Sequence, residues 1–371
     1  MMEIGVLGCG GVIGRGVVAS LAREGRRIRG GQRSACGLCP PGFEWKETDA
    51  ANPNSLAEFC EGCHVVVNCL GPSYRYSEMV AHAAAAAGAV CVDTFGVMLG
   101  GEGRRAMPGG APVVIGAGNV PGLTGILAAH LARYGFEKVD SLRVYCGGID
   151  SCGFGAAVDI LLSSLNGYGL SGQCLIDRAP VPEAPARMGK TIIPGFPEEV
   201  YVNPYVTWEL ADVADRFAVH EVHGYNVVSD ESLRDSILRQ LGALASRKDE
   251  QTLAQCAHGL MRDCEKAMFG KHPWYAVVAE AAGTAAGRPC AERIVVSTGE
   301  SNRLTSRIAA LAAEKALVSD MAPGVQWAWE FLDSREVIKA LKHENDLARY
   351  SQVSLEAGEI TNPGISEEGE L

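Results

Sequence analysis

The chain has 371 residues, enough for two domains with separate hydrophobic cores. It is 47% hydrophobic and 21% charged, a globular composition, and its net charge of −11 with a pI near 5.3 argues against nucleic acid or an anionic membrane as partner. No apolar run reaches the roughly 18 residues of a membrane span, and no basic segment followed by an apolar one opens the sequence. The expectation is a cytoplasmic protein that acts on a small molecule and assembles as a homo-oligomer, a dimer.

Glu3–Leu7 reads as a strand. A glycine cluster follows (Gly8, Gly10, Gly11, Gly14), and then a helix from about Ile13 to Glu24. This strand–turn–helix opens a dinucleotide-binding fold. One glycine makes the turn, the next admits the pyrophosphate to the backbone, and the last packs helix on strand. The phosphates then meet free N–H groups at the positive end of the helix. Gly8, Gly10, Gly11, Val12, Ile13 and Gly14 are the expected contacts. The strict spacing would place glycine where Ile13 stands, so the turn is one residue longer, as in many NADP-dependent reductases.

Arg27–Gly31 is the second strand. An acidic residue at its end would mark NAD; here the run is Arg29-Gly30-Gly31-Gln32-Arg33-Ser34, with none. The guanidinium of Arg33 suits a 2′-phosphate and Ser34 adds a donor. The expected cofactor is NADP(H).

Two pairs, Cys36-x-x-Cys39 and Cys60-x-x-Cys63, have zinc-ribbon spacing. The first follows the second strand; the second precedes the strand read at His64–Leu70. They therefore fall at opposite edges of the sheet, about 17 Å apart. No metal is expected, and the thirteen cysteines read as reduced thiols of a reducing compartment.

A short helix at Leu56–Cys60 follows Asn52-Pro53. A helix at Ser77–Ala87, strands at Val90–Asp93 and Pro112–Ile115, and a helix at Leu123–Tyr134 come next. Alternating strands and helices imply an α/β, Rossmann-type doubly wound parallel sheet, with ligands at the carboxyl ends of its strands. After about Val139 the texture changes. Strands read at Ser141–Cys146, Ala218–Val222, Tyr275–Ala279 and Arg293–Ser297. Helices read at Ala156–Leu165, Glu231–Leu244, Thr252–Ala267 and Leu304–Leu317. Together they suggest a second, α+β domain on a mostly antiparallel sheet. Pro180–Pro197 reads as a long loop. The expected boundaries are 1–122 for the nucleotide domain, completed by a returning helical segment at about 319–345; 123–318 for the second domain; and 354–371 for a mobile acidic tail.

The N-terminal third resembles the NADP-binding domain of the saccharopine dehydrogenase-like family. The resemblance rests on the glycine loop with Gly30–Ser34, on Asp49–Asn52 before Ser55-Leu56, on Val65–Pro72, and on Ala86–Asp93. It implies that the Leu70-Gly71-Pro72 turn lies beside the nicotinamide and that the strand ending in Asp93 faces the substrate. It covers about residues 3–127; beyond them only the outline is similar. Ala117-Gly118-Asn119-Val120 departs from the family's Cys-Gly-Phe-Asp, and Gly96-Val97 from its Gly-Glu, so part of the family's acid–base set is absent.

Tyr74 and Arg75 follow the Gly71-Pro72 turn, where a phenol can donate a proton and a guanidinium can clamp a carboxylate. Asp93 can hold a protonated nitrogen, or instead cap the loop Thr94–Gly96; Asn119 has a similar position. In the second domain His223 and Lys271 are candidates for the cleft between the domains. His220 and His223, three apart on a strand, face opposite ways and cannot easily share an ion. The reading is an NADPH-dependent oxidoreductase; the resemblance adds a C=N bond, imine or opine type, in a small carboxylated intermediate. The alternatives are a C=C or C=O reductase of the same fold, and an NADP(H)-sensing protein without turnover.

Overall fold

Short strands, buried at the centre of the sheet and exposed at its edge, and one-sided helices build the first part of the chain. A computed structural model describes residues 2–100, 110–165, 167–183, 189–344, 348–356 and 360. In chain order the elements begin with β1 (Glu3–Leu7), α1 (Val12–Arg23), β2 (Arg27–Gln32) and β3 (Phe43–Glu47). Then come α2 (Pro53–Cys60), β4 (Val65–Asn68), α3 (Ser73–Ala86), β5 (Val90–Asp93), β6 (Pro112–Ile115) and α4 (Leu123–Tyr134). Next are β7 (Lys138–Ile149), α5 (Phe154–Leu165), β8 (Gly169–Ser171), β9 (Gln173–Ile176), β10 (Ala179–Pro182) and β11 (Tyr201–Thr207). They are followed by α6 (Trp208–Phe217), β12 (Glu221–Val228), α7 (Glu231–Ser246), α8 (Glu250–Met268), β13 (Trp274–Ala285) and β14 (Arg288–Thr298). The last are α9 (Ser301–Val318), β15 (Gly324–Trp327), α10 (Ala328–Phe331), α11 (Ser334–His343) and β16 (Arg349–Leu355).

The chain divides into two units: Met1–Ile126 with Asn302–Ile338, and Leu127–Ser301 with Lys339–Leu371. In the first, the described strands form a seven-stranded sheet in the order β15-β6-β5-β4-β1-β2-β3. Every pairing in it is parallel. β1 and β4 are buried along their whole length, as strands covered on both faces must be. The strand order reverses beside β1, which puts a topological switch point at the glycine loop. Asn52 starts α2 by accepting from the amides of Asn54 and Ser55, with Pro53 at the first helical position.

Four differences from the sequence reading concern weakly patterned segments. α9 groups with the first unit, not the second: Ser306 Oγ donates to the Ile13 carbonyl at 2.9 Å, and Arg26 meets Glu314 at 3.8 Å. The returning segment supplies a strand as well as helix: β15 pairs with β6 from Gly324↔Pro112 to Trp327↔Ile115. Within the segment read as a loop at Pro180–Pro197, β10 pairs with β9; residues 184–188 lie outside the described ones. The acidic tail begins inside β16, which pairs with β14, while 357–359 and 361–371 are outside the described residues.

In the second unit the described strands form a nine-stranded sheet along β10-β9-β12-β7-β13-β14-β16, with β11 branching from β12 and β8 pairing with β11. Only β12 and β7 run parallel; the other pairings are antiparallel. α5, α7 and α8 pack a cluster around Leu161, Ala257 and Leu260. A second cluster joins Tyr145, Tyr225 and Val278 to Ile193 and Val200.

Candidate functional site

Gly8 has φ +75°, a turn that favours glycine, and its amide donates to the Gly31 carbonyl at 2.8 Å. A Cβ on Gly14 would sit 2.1 Å from the Gly8 carbonyl oxygen and 2.8 Å from Cys9 Cα, so helix and turn touch backbone to backbone. Gly11 caps α1, which has no side-chain cap; Val12, Ile13 and Gly14 therefore open the helix with amides that have no intrahelical acceptor. Val12 is 66% exposed. This loop fits a dinucleotide pyrophosphate: a glycine-only cradle with free donors at the positive end of a helix.

The end of β2 lies against the glycine loop. Gln32 takes the place of an acidic anchor, and its Oε1 accepts from the Gly10 amide at 2.8 Å. Arg33 and Ser34 are exposed just beyond, and Arg33 makes no ion pair among the described residues. Sequence reasoning missed Arg15. Its guanidinium donates to the Gly10 and Cys36 carbonyls, each at 2.9 Å, and so ties the glycine loop to the segment after β2. The signal available was an arginine one residue past the last loop glycine.

Gly8 also leans on the neighbouring turn: a Cβ there would meet the Cys69 carbonyl at 2.9 Å and Leu70 Cδ2 at 3.3 Å. The Leu70-Gly71-Pro72 turn thus adjoins the glycine loop, and the Gly71–Pro72 bond is cis. Pro72 caps α3, which places Tyr74 and Arg75 in the first turn of that helix, both exposed, Tyr74 at 37%.

Asp93, at the end of β5, is buried. Its Oδ2 accepts from Asn68 Nδ2 at 2.6 Å and its Oδ1 from the Phe95 amide at 2.8 Å. Burial raises its pKa above the ordinary carboxylate value, against the pull of these hydrogen bonds. Asn68 in turn accepts from the Leu70 amide at 3.1 Å. This geometry suits a brace between strand ends and capping of the Thr94–Gly96 loop rather than contact with substrate. Asn68 was not singled out in the sequence; a polar residue ending an apolar strand was its signal. Asn119 is half-buried, and its Oδ1 accepts from the Val120 amide at 2.7 Å where the chain turns toward α4.

The second-unit candidates are engaged differently. Lys271 Nζ donates to Asp230 at 2.6 Å, and Asp230 caps α7. His220 pairs outward with Asp177 at 2.5 Å. His223, on β12, lies between Glu183 at Nδ1 (2.9 Å) and Glu221 at Nε2 (2.6 Å). Burial alone would lower its pKa; the two carboxylates outweigh that and raise it. Arg143 on β7 meets Glu221 at 3.4 Å, and Tyr225 Oη donates to Glu183 at 2.7 Å.

The two CxxC pairs occupy different places. Cys36 Sγ lies 3.8 Å from Cys9 Sγ, just past the carboxyl end of β1. Cys60 and Cys63 precede β4, and Cys63 contacts Arg29 Nη1 at 3.6 Å. Burial pushes the thiols of Cys9 and Cys60 up to about 12 and Cys63 to about 11, which leaves little reactive thiolate.

A doubly wound domain with a glycine cradle at its switch point has the form of a dinucleotide-binding domain. Residues 4–99 match the family model described as the saccharopine dehydrogenase NADP binding domain, and the cofactor that such a domain takes is NADP(H). The whole fold is similar to apo saccharopine dehydrogenase (L-Glu forming) from Saccharomyces cerevisiae. The TM-score is 0.67 at 15% identity, over 96% of this chain and 100% of that one. Partial likenesses include a putative epimerase from Bacteroides thetaiotaomicron (TM-score 0.24, 16% identity, 25% of this chain and 46% of that). Another is a Rossmann-fold NAD(P)-binding family protein from Shigella flexneri (0.23, 21%, 25% and 50%). Among curated proteins there is no match to this chain.

Proposed function

We propose that this chain is an NADPH-dependent reductase of a C=N bond in a small, carboxylated imine. The observation that carries the reading is the Tyr74 phenol. It is exposed, without a hydrogen-bond partner among the described residues, and two residues past the turn that adjoins the glycine loop. Bound NADPH supplies the hydride. Tyr74 donates its Oη proton to the nitrogen of the bond being reduced and regains one from solvent, to which it is open. Arg75 beside it offers a planar fork to a substrate carboxylate. Asp93 and Asn68 hold the ends of β4 and β5 in place and with them the turn that carries Tyr74.

A second reading, a protein that holds NADP(H) without turning it over, is favoured by the burial of Asp93, which leaves few acid–base groups open on this edge. One experiment separates the two. Imines formed from amino acids and 2-oxo acids are screened by NADPH absorbance with wild type and Tyr74→Phe. Loss of a proton donor should lower kcat by roughly 10²–10⁴-fold with NADPH affinity retained. Full activity in Tyr74→Phe removes the phenol from the mechanism. Tight NADPH binding without turnover on C=N, C=O or C=C substrates favours the second reading.

A further inference from the structure

Cys174, Glu183 and His223 meet on the sheet of the second unit, far apart in sequence. β9 supplies the thiol, the segment after β10 the carboxylate, and β12 the imidazole. The antiparallel register Glu221↔Ile176, Val222↔Leu175 brings Cys174 opposite His223. One donor atom from each residue lies within 4.8 Å of the other two. An imidazolium between two carboxylates would explain part of this cluster. It leaves Glu183 Oε2 buried with no hydrogen-bond partner, and it gives the Cys174 thiol nothing better than the Val181 carbonyl at 3.7 Å. A buried, unpartnered carboxylate oxygen is costly unless a cation completes it.

We infer that Cys174 Sγ, His223 Nδ1 and the Glu183 carboxylate bind a zinc ion, with a fourth coordination position left open. One sulfur, one nitrogen and one oxygen donor suit zinc among the common divalent ions. Bonds of about 2.0–2.3 Å in a tetrahedron put ligand atoms roughly 3.3–3.8 Å apart, so a contraction of about an ångström completes the site. The surroundings already have the form of an outer shell. His223 Nε2 faces Glu221, which Arg143 holds in turn, and so the imidazole is oriented by a carboxylate. Tyr225 donates to Glu183 Oε1, which leaves Oε2 for the metal. Zinc binding releases the protons of His223 Nδ1 and Cys174 Sγ to solvent, and the Nδ1 lone pair turns from Glu183 Oε1 to the metal. The expectation of no metal came from the two CxxC pairs and from His220 with His223. Neither considered these three residues together.

The test uses the full chain, stripped with chelator, dialysed, and titrated with Zn²⁺ by calorimetry and with Co²⁺ by absorption. The result expected is one equivalent of zinc per chain and a sulfur-to-cobalt charge-transfer band in the near ultraviolet. Cys174→Ser should lose the band, and Glu221→Gln, which removes the carboxylate that orients His223, should weaken zinc binding by roughly 10–100-fold. Absence of one-to-one binding overturns the proposal, as does a band that persists in Cys174→Ser, which would place the metal on other thiols. Should Cys174→Ser fail to fold, X-ray absorption at the zinc edge of the wild type decides. One sulfur with lighter neighbours supports the site; no sulfur, or two or more, overturns it.

Discussion

A methyl group has no room at Gly14, because its Cβ would lie against the backbone of Gly8 and Cys9. Gly14→Ala should therefore shift the helix off the turn, destabilise the fold by about 1–3 kcal/mol, and abolish NADPH binding, as read by urea unfolding and fluorescence titration. Gly10→Ala should do less, since its Cβ would meet only the movable amide of Gln32. The loop glycines were legible because they sit close together in the sequence and carry a fixed backbone task; a role for the Gly71-Pro72 turn came only from the family resemblance. The roles of Asn68 and Asp93 were not. Their bond joins residues 25 apart, and only the register of β4 with β5 brings them together. In the sequence, Asp93 could hold a substrate nitrogen or cap its loop; burial favours the second.

The central elements of the first sheet were readable because each is a short apolar run bounded by glycine, proline or asparagine. β3 and β16 were not, since edge strands such as FEWKE and RYSQVSL are largely exposed and lack that pattern. β15 is only four residues long, yet Trp327 on it is among the largest fully buried side chains. Added Cβ atoms at Gly100 and Gly116 would lie 2.9 and 3.1 Å from its ring. Trp327→Ala should cost about 3–5 kcal/mol in urea unfolding, and a near-neutral result would mean that β15 does not close this sheet. At α7 the stability should depend on pH. Burial opposes ionisation of Asp230, but hydrogen bonds from Lys271, Ser232 and the Leu233 amide bring its pKa from 3.8 down to about 2. A depressed folded-state pKa means that its contribution is present above the ordinary value and fades as pH falls toward about 2. Asp230→Ala should lose about 1 kcal/mol near neutral pH, and the difference from wild type should shrink in acid. A constant difference would argue against the ionised cap.

For the molecule as a whole, composition and charge argued against nucleic acid and membrane as partners, the N-terminal glycine motif pointed to a dinucleotide, and Arg33 with Ser34 pointed to NADP(H). The α+β character of the second unit was legible from its strand and helix patterns. The meeting of Cys174, Glu183 and His223 was not, because it depends on the register of three strands. NADP(H) is the cofactor, and the proposed source of the preference over NAD(H) is exposed Arg33 where an NAD enzyme has an acidic residue. Fluorescence titration of wild type and Arg33→Ala with NADPH and with NADH tests this most directly. NADPH should bind wild type at least roughly tenfold more tightly than NADH, and Arg33→Ala should lose most of that preference while its NADH affinity stays nearly unchanged. Equal affinities in the wild type, or an unaltered NADPH affinity in Arg33→Ala, would contradict it.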